Sequence, residues 1–319
     1  MYKLAYRALA PEGQRSRLTV LIYHRVLPAH DPLRPSEPTE AEFERRMRWV
    51  KSHFNVLPLR DAVRALQANR LPERPLAITF DDGYADNHDH ALPVLRRLGL
   101  PATFFVATGY LDGGRMFNDT VIESVRQTSG PTLDLRDVAL GNHRIESVGD
   151  RLAAVAEILD KIKYLPLMRR DEVADAVAQH AGARMSDDLM MTSAQVAALH
   201  RAGMEIGGHT VGHPILTEVD FATARDEIVV GRTKLESITG SPVDLFAYPN
   251  GRPGRDYSSE HVALVKSLGF RAAVSTQWGT AGYGADVFQI PRFTPWDSQQ
   301  WKFGLRIAWT LARSGYAHA

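Results

Sequence analysis

Short apolar runs alternate with amphipathic stretches along most of the chain. Runs rich in Val, Ile or Phe at Leu18–Tyr23, Leu76–Phe80, Ala102–Ala107, Met204–Gly207, Leu245–Tyr248, Arg271–Ser275 and Phe288–Ile290 end in Gly, Pro or polar residues, the pattern of short buried strands. Between them, helical spacing of apolar residues predicts helices at Glu40–His53, Leu59–Gln67, His90–Leu98, Ser193–Arg201, Ala222–Thr239 and Ser259–Leu268. Gly99, Gly203, Gly240 and Gly269 stand where such helices stop. Strands alternating with helices predict an α/β fold with a parallel barrel.

The stretch Leu111–Met191 breaks this rhythm. It carries helical patterns at Ser147–Leu159 and Arg170–Ala181 and no convincing strand, so it reads as a mostly helical insertion. In a βα barrel an insertion after a strand sits over the C-terminal face as a lid or specificity element, or else pads the barrel wall. Near the end, Trp301–Ala312 spaces aromatic and aliphatic residues with Lys302 and Arg306, followed by Arg313. That pattern fits a terminal helix packed on its own domain or a basic amphipathic helix in peripheral contact with a membrane.

Composition narrows the chemistry. The 319 residues are 44% hydrophobic and 24% charged, ordinary for a globular chain. With no cysteine, thiolate nucleophiles, disulfides and Cys-based metal sites are excluded, and any ion must be held by His, Asp or Glu. A net charge of +1 lacks the cationic excess that nucleic-acid binding uses. Met1–Leu18 interleaves Lys3, Arg7, Arg15 and Arg17 with single apolar residues, which reads as neither signal peptide nor membrane span and predicts a cytoplasmic protein.

Two strand ends concentrate candidate chemistry. Thr79-Phe80-Asp81-Asp82-Gly83 places adjacent carboxylates after the second strand. On an extended segment successive side chains point apart, so one is expected to hold a metal while the other handles a proton. Gly207-Gly208-His209-Thr210-Val211-Gly212-His213-Pro214 places two imidazoles four residues apart in a turn-rich segment. Two imidazoles and one carboxylate form a three-ligand site with open positions, the architecture of a hydrolytic metal centre.

TFDDG at Thr79–Gly83 followed by HTVGH at His209–His213 resembles the first two motifs of the NodB-homology polysaccharide deacetylases, carbohydrate esterase family four. Leu92–Leu95 and Gly99–Phe105 resemble the segment after the first motif, and the likeness runs from about Leu18 to Phe293. The resemblance implies a distorted (β/α)7-type barrel as the core, at about 18–293, of a single domain over 1–319; the helical insertion at about 111–191 and the terminal helix at about 301–312 fall outside it. It implies a divalent metal, usually zinc, and hydrolytic removal of acetyl groups from an N-acetylated glycan. By motif position Asp81 resembles the catalytic base, Asp82 the metal-binding carboxylate, and His209 and His213 the metal-binding imidazoles.

The chain also departs from the family. Phe246-Ala247-Tyr248-Pro249-Asn250-Gly251 resembles the third motif only in part, with Ala247 where an Arg is usual. Tyr248 and Pro249 are expected in the groove, with the Asn250 backbone N–H as oxyanion donor. The late Leu-x-His motif is missing, but Leu21-Ile22-Tyr23-His24 resembles the permuted arrangement of the poly-N-acetylglucosamine deacetylase branch, which makes His24 the expected general acid. Arg25 or Arg292 is expected to replace the missing Arg beside Asp81 or the substrate. Asp86-Asn87-His88-Asp89-His90 reads as a polar helix start, and Trp278, Trp296 and Trp301 as core aromatics or sugar-stacking rings. Two alternatives remain: a noncatalytic carbohydrate-binding protein on the same barrel, or a metal-dependent hydrolase of another amide.

Overall fold

The computed structural model describes residues 2–295, 297, 299–313 and 318–319. Its strands in chain order are β1 (Thr19–Tyr23), β2 (Asn55–Val56), β3 (Pro75–Phe80), β4 (Thr103–Val106), β5 (Thr132–Leu135), β6 (Gly141–Arg144), β7 (Glu205–Gly208), β8 (Leu245–Ala247), β9 (Ala272–Trp278) and β10 (Ile290–Arg292). The helices are α1 (Tyr2–Leu9), α2 (Glu40–His53), α3 (Leu59–Gln67), α4 (Leu92–Leu98), α5 (Phe117–Gln127), α6 (Val148–Ile162), α7 (Leu167–Ala181), α8 (Ser193–Arg201), α9 (Phe221–Thr239), α10 (Ser259–Ser267) and α11 (Gln300–Ala312).

Seven strands pair in parallel in the order β1-β3-β4-β7-β8-β9-β10, with β2 beside β3. The ring draws shut where the Phe293 N–H donates to Val20 O at 2.7 Å and the Ile22 N–H to Phe293 O at 3.1 Å. The result is a nearly closed barrel of the (β/α)7 type. Every residue of β1 and β3 is buried, as expected of parallel strands covered on both faces.

Side chains alternate between two apolar clusters with the period of two that a strand imposes. Val20, Ala77, Phe105, Ala247 and Val274 join one cluster, while their neighbours Leu21, Ile78, Phe104, Phe246 and Ala273 pack in the other with the helices. Helix α3 adds Leu59, Ala62, Val63 and Leu66 to the first cluster. Its N-terminal amides at Leu59 and Arg60 donate to the carboxylate of Glu205, at the start of β7, so α3 closes the N-terminal mouth of the barrel. The C-terminal mouth is left for the site.

Helices α5, α6 and α7 share a separate apolar cluster that includes Val121, Leu133, Ile158 and Val177. The insertion also contains strands, contrary to expectation: β5 and β6 form an antiparallel hairpin, with Thr132 opposite Arg144 and Leu135 opposite Gly141. Only Leu133, Leu135 and His143 of its eight residues are buried, so the polar majority hides the alternation. Helix α11 extends over the expected C-terminal segment and buries Phe303, Ile307 and Leu311 in the main core. No helix among the described residues is long and apolar enough to cross a membrane.

Candidate active site

The loops following β1, β3, β7 and β8 converge at the C-terminal mouth on a cleft of about 730 Å³. His24, Asp81, Asp82, His209, His213 and Asn250 all line it.

The carboxylates separate, but not by simple strand alternation. Strand β3 ends at Phe80, and Asp82 takes a left-handed backbone with φ of +75°. That turn sends Asp82 to the two imidazoles, with its Oδ1 3.4 Å from His209 Nε2 and 3.5 Å from His213 Nε2. Thr210, His213 and Asn250 are also left-handed, at φ of +66°, +52° and +58°, so half of the eight described non-glycine residues with positive φ lie in this site. Such backbone strain persists where the surroundings impose it, and it clusters at functional sites.

His209 is 1% exposed, and its Nδ1–H donates to Ala247 O at 2.7 Å, which leaves Nε2 facing Asp82. Burial opposes charge on His209, but Asp82 and the Asp81 charge outweigh it and raise its pKa. Burial together with the neighbouring His209 pushes His213 down to about 3, so it is a neutral imidazole at pH 7. Burial likewise opposes ionisation of Asp82, yet contact with His209 and His213 holds its carboxyl well below the usual range.

Donor atoms of Asp82, His209 and His213 lie within 4.8 Å of one another. A tetrahedral ion with bonds near 2.1 Å spaces its ligands about 3.4 Å apart. The two Asp82 distances match that edge, and a carboxylate with two imidazoles is a donor set that suits zinc and other borderline divalent ions. The residues therefore fit a metal.

Asp81 belongs to a different contact. Both its oxygens accept from Arg292, at 2.7 Å from Nη1 and 2.6 Å from Nη2. Burial opposes ionisation of Asp81, but the guanidinium overrides it and keeps the carboxyl below its ordinary pKa. Arg292 is thus the arginine expected beside Asp81. Its side chain is 0% exposed and also donates to Ser275 O and Thr79 Oγ1, and it lies outside the cleft lining, where the sequence had suggested contact with substrate. Arg25 pairs with Asp86 instead, at 2.7 Å.

Tyr248 and Pro249 are also displaced from their expected places. Tyr248 is fully buried, stacks on Tyr257 with ring centroids 3.9 Å apart and donates to Phe288 O, which turns it into the core rather than the groove. Pro249 is buried outside the cleft lining and accepts from the Gly251 N–H. Asn250 does line the cleft, and its carbonyl accepts from Thr276 Oγ1 at 2.5 Å. Among the described residues no acceptor engages the Asn250 N–H.

His24 follows β1 in a loop fixed by residues whose role the sequence did not reveal. Asn87 Nδ2 donates to His24 O at 2.8 Å, the Arg25 N–H donates to Glu37, and the Val26 N–H and Arg25 Nε donate to Asp86. Asp86 and Asn87 precede and open a π turn over Asn87–Ala91, but Asp86 makes no side-chain cap there. The polar helix start is thus a clamp on residues 24–26. Burial raises the Glu37 carboxyl, while the facing His24 and the Arg25 N–H pull it back.

The insertion walls the cleft with Met116, Phe117 and Asn118 and with Ala156, Leu159, Asp160 and Lys163. Tyr84 and Arg34, both hydrogen-bonded to the fully buried Asp119, complete that side. Trp278 also lines the cleft; Trp301 lies outside the lining, and Trp296 lies outside the described residues.

A family model described as polysaccharide deacetylase matches residues 68–147 and 163–273. A poly-beta-1,6-N-acetyl-D-glucosamine N-deacetylase of Staphylococcus epidermidis is 31% identical over 90 residues, covering 28% of this chain and 31% of that protein. The matched stretches span less than a third of the length of these curated relatives. Among solved structures, IcaB from Ammonifex degensii superposes with a TM-score of 0.59 at 17% identity, over 95% of this chain and 99% of that one. The Streptococcus pyogenes deacetylase PplD in complex with acetate gives a TM-score of 0.58 at 18% identity, over 87% and 92%. At these identities the likeness is one of fold.

Proposed function

The chain belongs to the polysaccharide deacetylase family, and we propose that its cleft hydrolyses N-acetyl groups of an N-acetylated glycan with a divalent ion, preferentially zinc. The observation that carries this reading is the side-by-side placement of Asp82, His209 and His213, with donor atoms within 4.8 Å, and an Asp81 held ionised by Arg292 in the same cleft. The proposed organisation is one catalytic domain over 1–319, with the segment at about 111–191 inserted as a cleft wall.

When bound, the ion supplies Lewis acidity to the acetamide carbonyl and eases removal of a proton from water. Asp81 accepts that proton as the water attacks, because the Arg292 fork keeps its carboxylate charged and aimed. As charge develops on the carbonyl oxygen, the Asn250 N–H donates to it and favours the tetrahedral state over the substrate. His24, on its clamped loop, then gives a proton to the leaving amine. Glycan product and acetate result.

The noncatalytic alternative drew on Ala247 and on the missing late His motif. Arg292 reaches Asp81 from β10, and His24 reaches the cleft from β1, the strand beside which β10 closes the ring. Both vacant roles have a candidate. Acetate release from N-acetylglucosamine oligomers by wild type, lost in Asp81→Asn, tests the reading. Binding of the oligomer without acetate from wild type would refute it in favour of a carbohydrate-binding role.

A further inference from the structure

Helix α11 is apolar on the side it buries and apolar again on the side it exposes. Phe303, Ile307 and Leu311 enter the core, and α1 packs alongside, with Tyr6 Oη donating to Gly304 O at 2.7 Å. At 100° per residue, Trp301, Ala312, Leu305 and Trp309 fall on one continuous arc opposite that core, followed at its edge by Lys302, Arg313 and Arg306. Trp301, Leu305 and Trp309 are 53%, 52% and 50% exposed, and Leu4 on α1 is 74% exposed. A stripe of two indoles and a leucine at i, i+4 and i+8 that faces outward needs a partner, because a helix apolar all round is normally covered on both sides.

Charge identifies the partner. Neither α1 nor α11 contains a single Asp or Glu. Arg306 is answered by Asp297 and Arg7 by Glu73, but Lys3, Arg17, Lys302 and Arg313 form no ion pair among the described residues. Lys302 lies over the Trp301 ring at 5.5 Å and Arg313 over Trp309 at 3.5 Å, so each indole carries a cation at its rim. Indoles at the apolar side with cations beside them match the boundary between acyl chains and anionic headgroups. A second copy of this chain fits less well: pairing on this face would bring together cationic edges with no carboxylate on either helix to answer them.

We infer that the outward face of α11, with the end of α1, docks the protein on the surface of an anionic lipid bilayer. The docking face adjoins the cleft through Trp278, which lines the cleft, donates from Nε1 to Thr310 of α11 at 2.9 Å, and shares a groove with Trp309, Arg306 and Arg313. A docked molecule therefore holds the cleft mouth beside the lipid. The inference does not depend on the chemistry of the cleft, and its test needs no turnover.

The full chain is sedimented with vesicles of phosphatidylcholine alone and of phosphatidylcholine mixed with phosphatidylglycerol. It pellets with the mixed vesicles and stays in solution with the neutral ones, and rising salt releases it. Lys302→Glu combined with Arg313→Glu weakens the apparent affinity roughly fivefold or more per cation removed. Trp301→Ser with Leu305→Ser and Trp309→Ser abolishes pelleting. The substitutions are on exposed positions, and unchanged thermal melting confirms an intact fold, while Asp81→Asn pellets like wild type. Wild type remaining in solution with both vesicles overturns the inference, as does equal pelleting of the Ser variant. Concentration-dependent dimerisation that the Ser variant removes, without vesicle binding, also overturns it and assigns the face to a second copy.

Discussion

Arg292 and Asp81, 211 residues apart, meet through two parallel hydrogen bonds of 2.7 and 2.6 Å inside the barrel mouth. The pair joins β10 to the loop after β3 and fixes both the orientation and the charge of the carboxylate beside Asp82, His209 and His213. Arg292→Lys keeps a cation but not the fork, and a Lys cannot reproduce the contacts to Ser275 O and Thr79 together with both Asp81 oxygens. Acetate release is expected to fall about tenfold or more, mainly in kcat, with metal still bound. Arg292→Leu leaves a buried carboxylate without its cation and should lower stability by ~3–5 kcal/mol, read by denaturant unfolding.

His24 is expected to act at the leaving amine and not at the metal. His24→Ala should retain the ion, measured by elemental analysis, and lose roughly 10²–10⁴ in kcat. Wild-type turnover in this variant would remove the acid role from His24.

The clamp on that loop predicts a weaker effect of the same kind. Asn87→Ala removes the donor to His24 O, and Asp86→Asn weakens the contacts to Val26 N–H and Arg25. Both should reduce kcat more than they change KM, because they misplace the acid without touching the carbonyl end of the substrate. A change confined to KM would assign Asp86 and Asn87 to substrate binding instead.

Helix α9 supports the HTVGH loop by contact at Gly231. A Cβ at this position would stand 2.8 Å from Thr210 O, a backbone atom between His209 and His213. Gly231→Ala must therefore push the loop or the helix. A loss of ~1–3 kcal/mol of stability is expected, with weaker metal retention on dialysis against chelator. Unchanged melting and metal affinity would show that the contact does not constrain the loop.

Asp31 ties the segment after β1 to the insertion. Its carboxylate accepts from Arg126 at 2.9 and 2.6 Å and from the Leu33 N–H at 2.9 Å. Burial opposes ionisation, but these bonds and the Arg126 and Arg34 charges lower its pKa below the ordinary value. A depressed carboxyl contributes stability above its unfolded pKa of about 3.9, and that contribution is lost as pH falls through the lower folded value. The melting difference between wild type and Asp31→Asn should stay constant from neutrality down to about pH 4 and shrink in stronger acid. A difference that grows on acidification would contradict the assignment.

Much of the barrel was legible because parallel strands buried on both faces leave near-continuous apolar runs, as in Val20–Tyr23 and Leu76–Ile78. The β5–β6 hairpin was not, since polar residues dominate a pair of strands with one face in solvent. The convergence of Asp82 with His209 and His213 was legible because carboxylate and imidazole types at that spacing have few other uses together. The direction of Asp82 was reached by the wrong local geometry: a left-handed turn, not strand alternation, carries it to the imidazoles. Tyr248 was misplaced because sequence position next to a cleft residue does not say which way a large ring faces, and Tyr257 offers it a stacking partner in the core. Asp86 and Asn87 acquire their role from contacts 60 to 63 residues away in sequence, with Val26, Arg25 and His24, which no local pattern records.

The central claim is tested most directly by parallel assays of metal content and acetate release on wild type, Asp81→Asn and Asp82→Asn. An N-acetylglucosamine oligomer is the substrate, and zinc is added. The account predicts metal and acetate from wild type, metal without acetate from Asp81→Asn, and loss of both from Asp82→Asn. Acetate release that persists in Asp81→Asn, or a wild-type protein that retains no divalent ion, would contradict it.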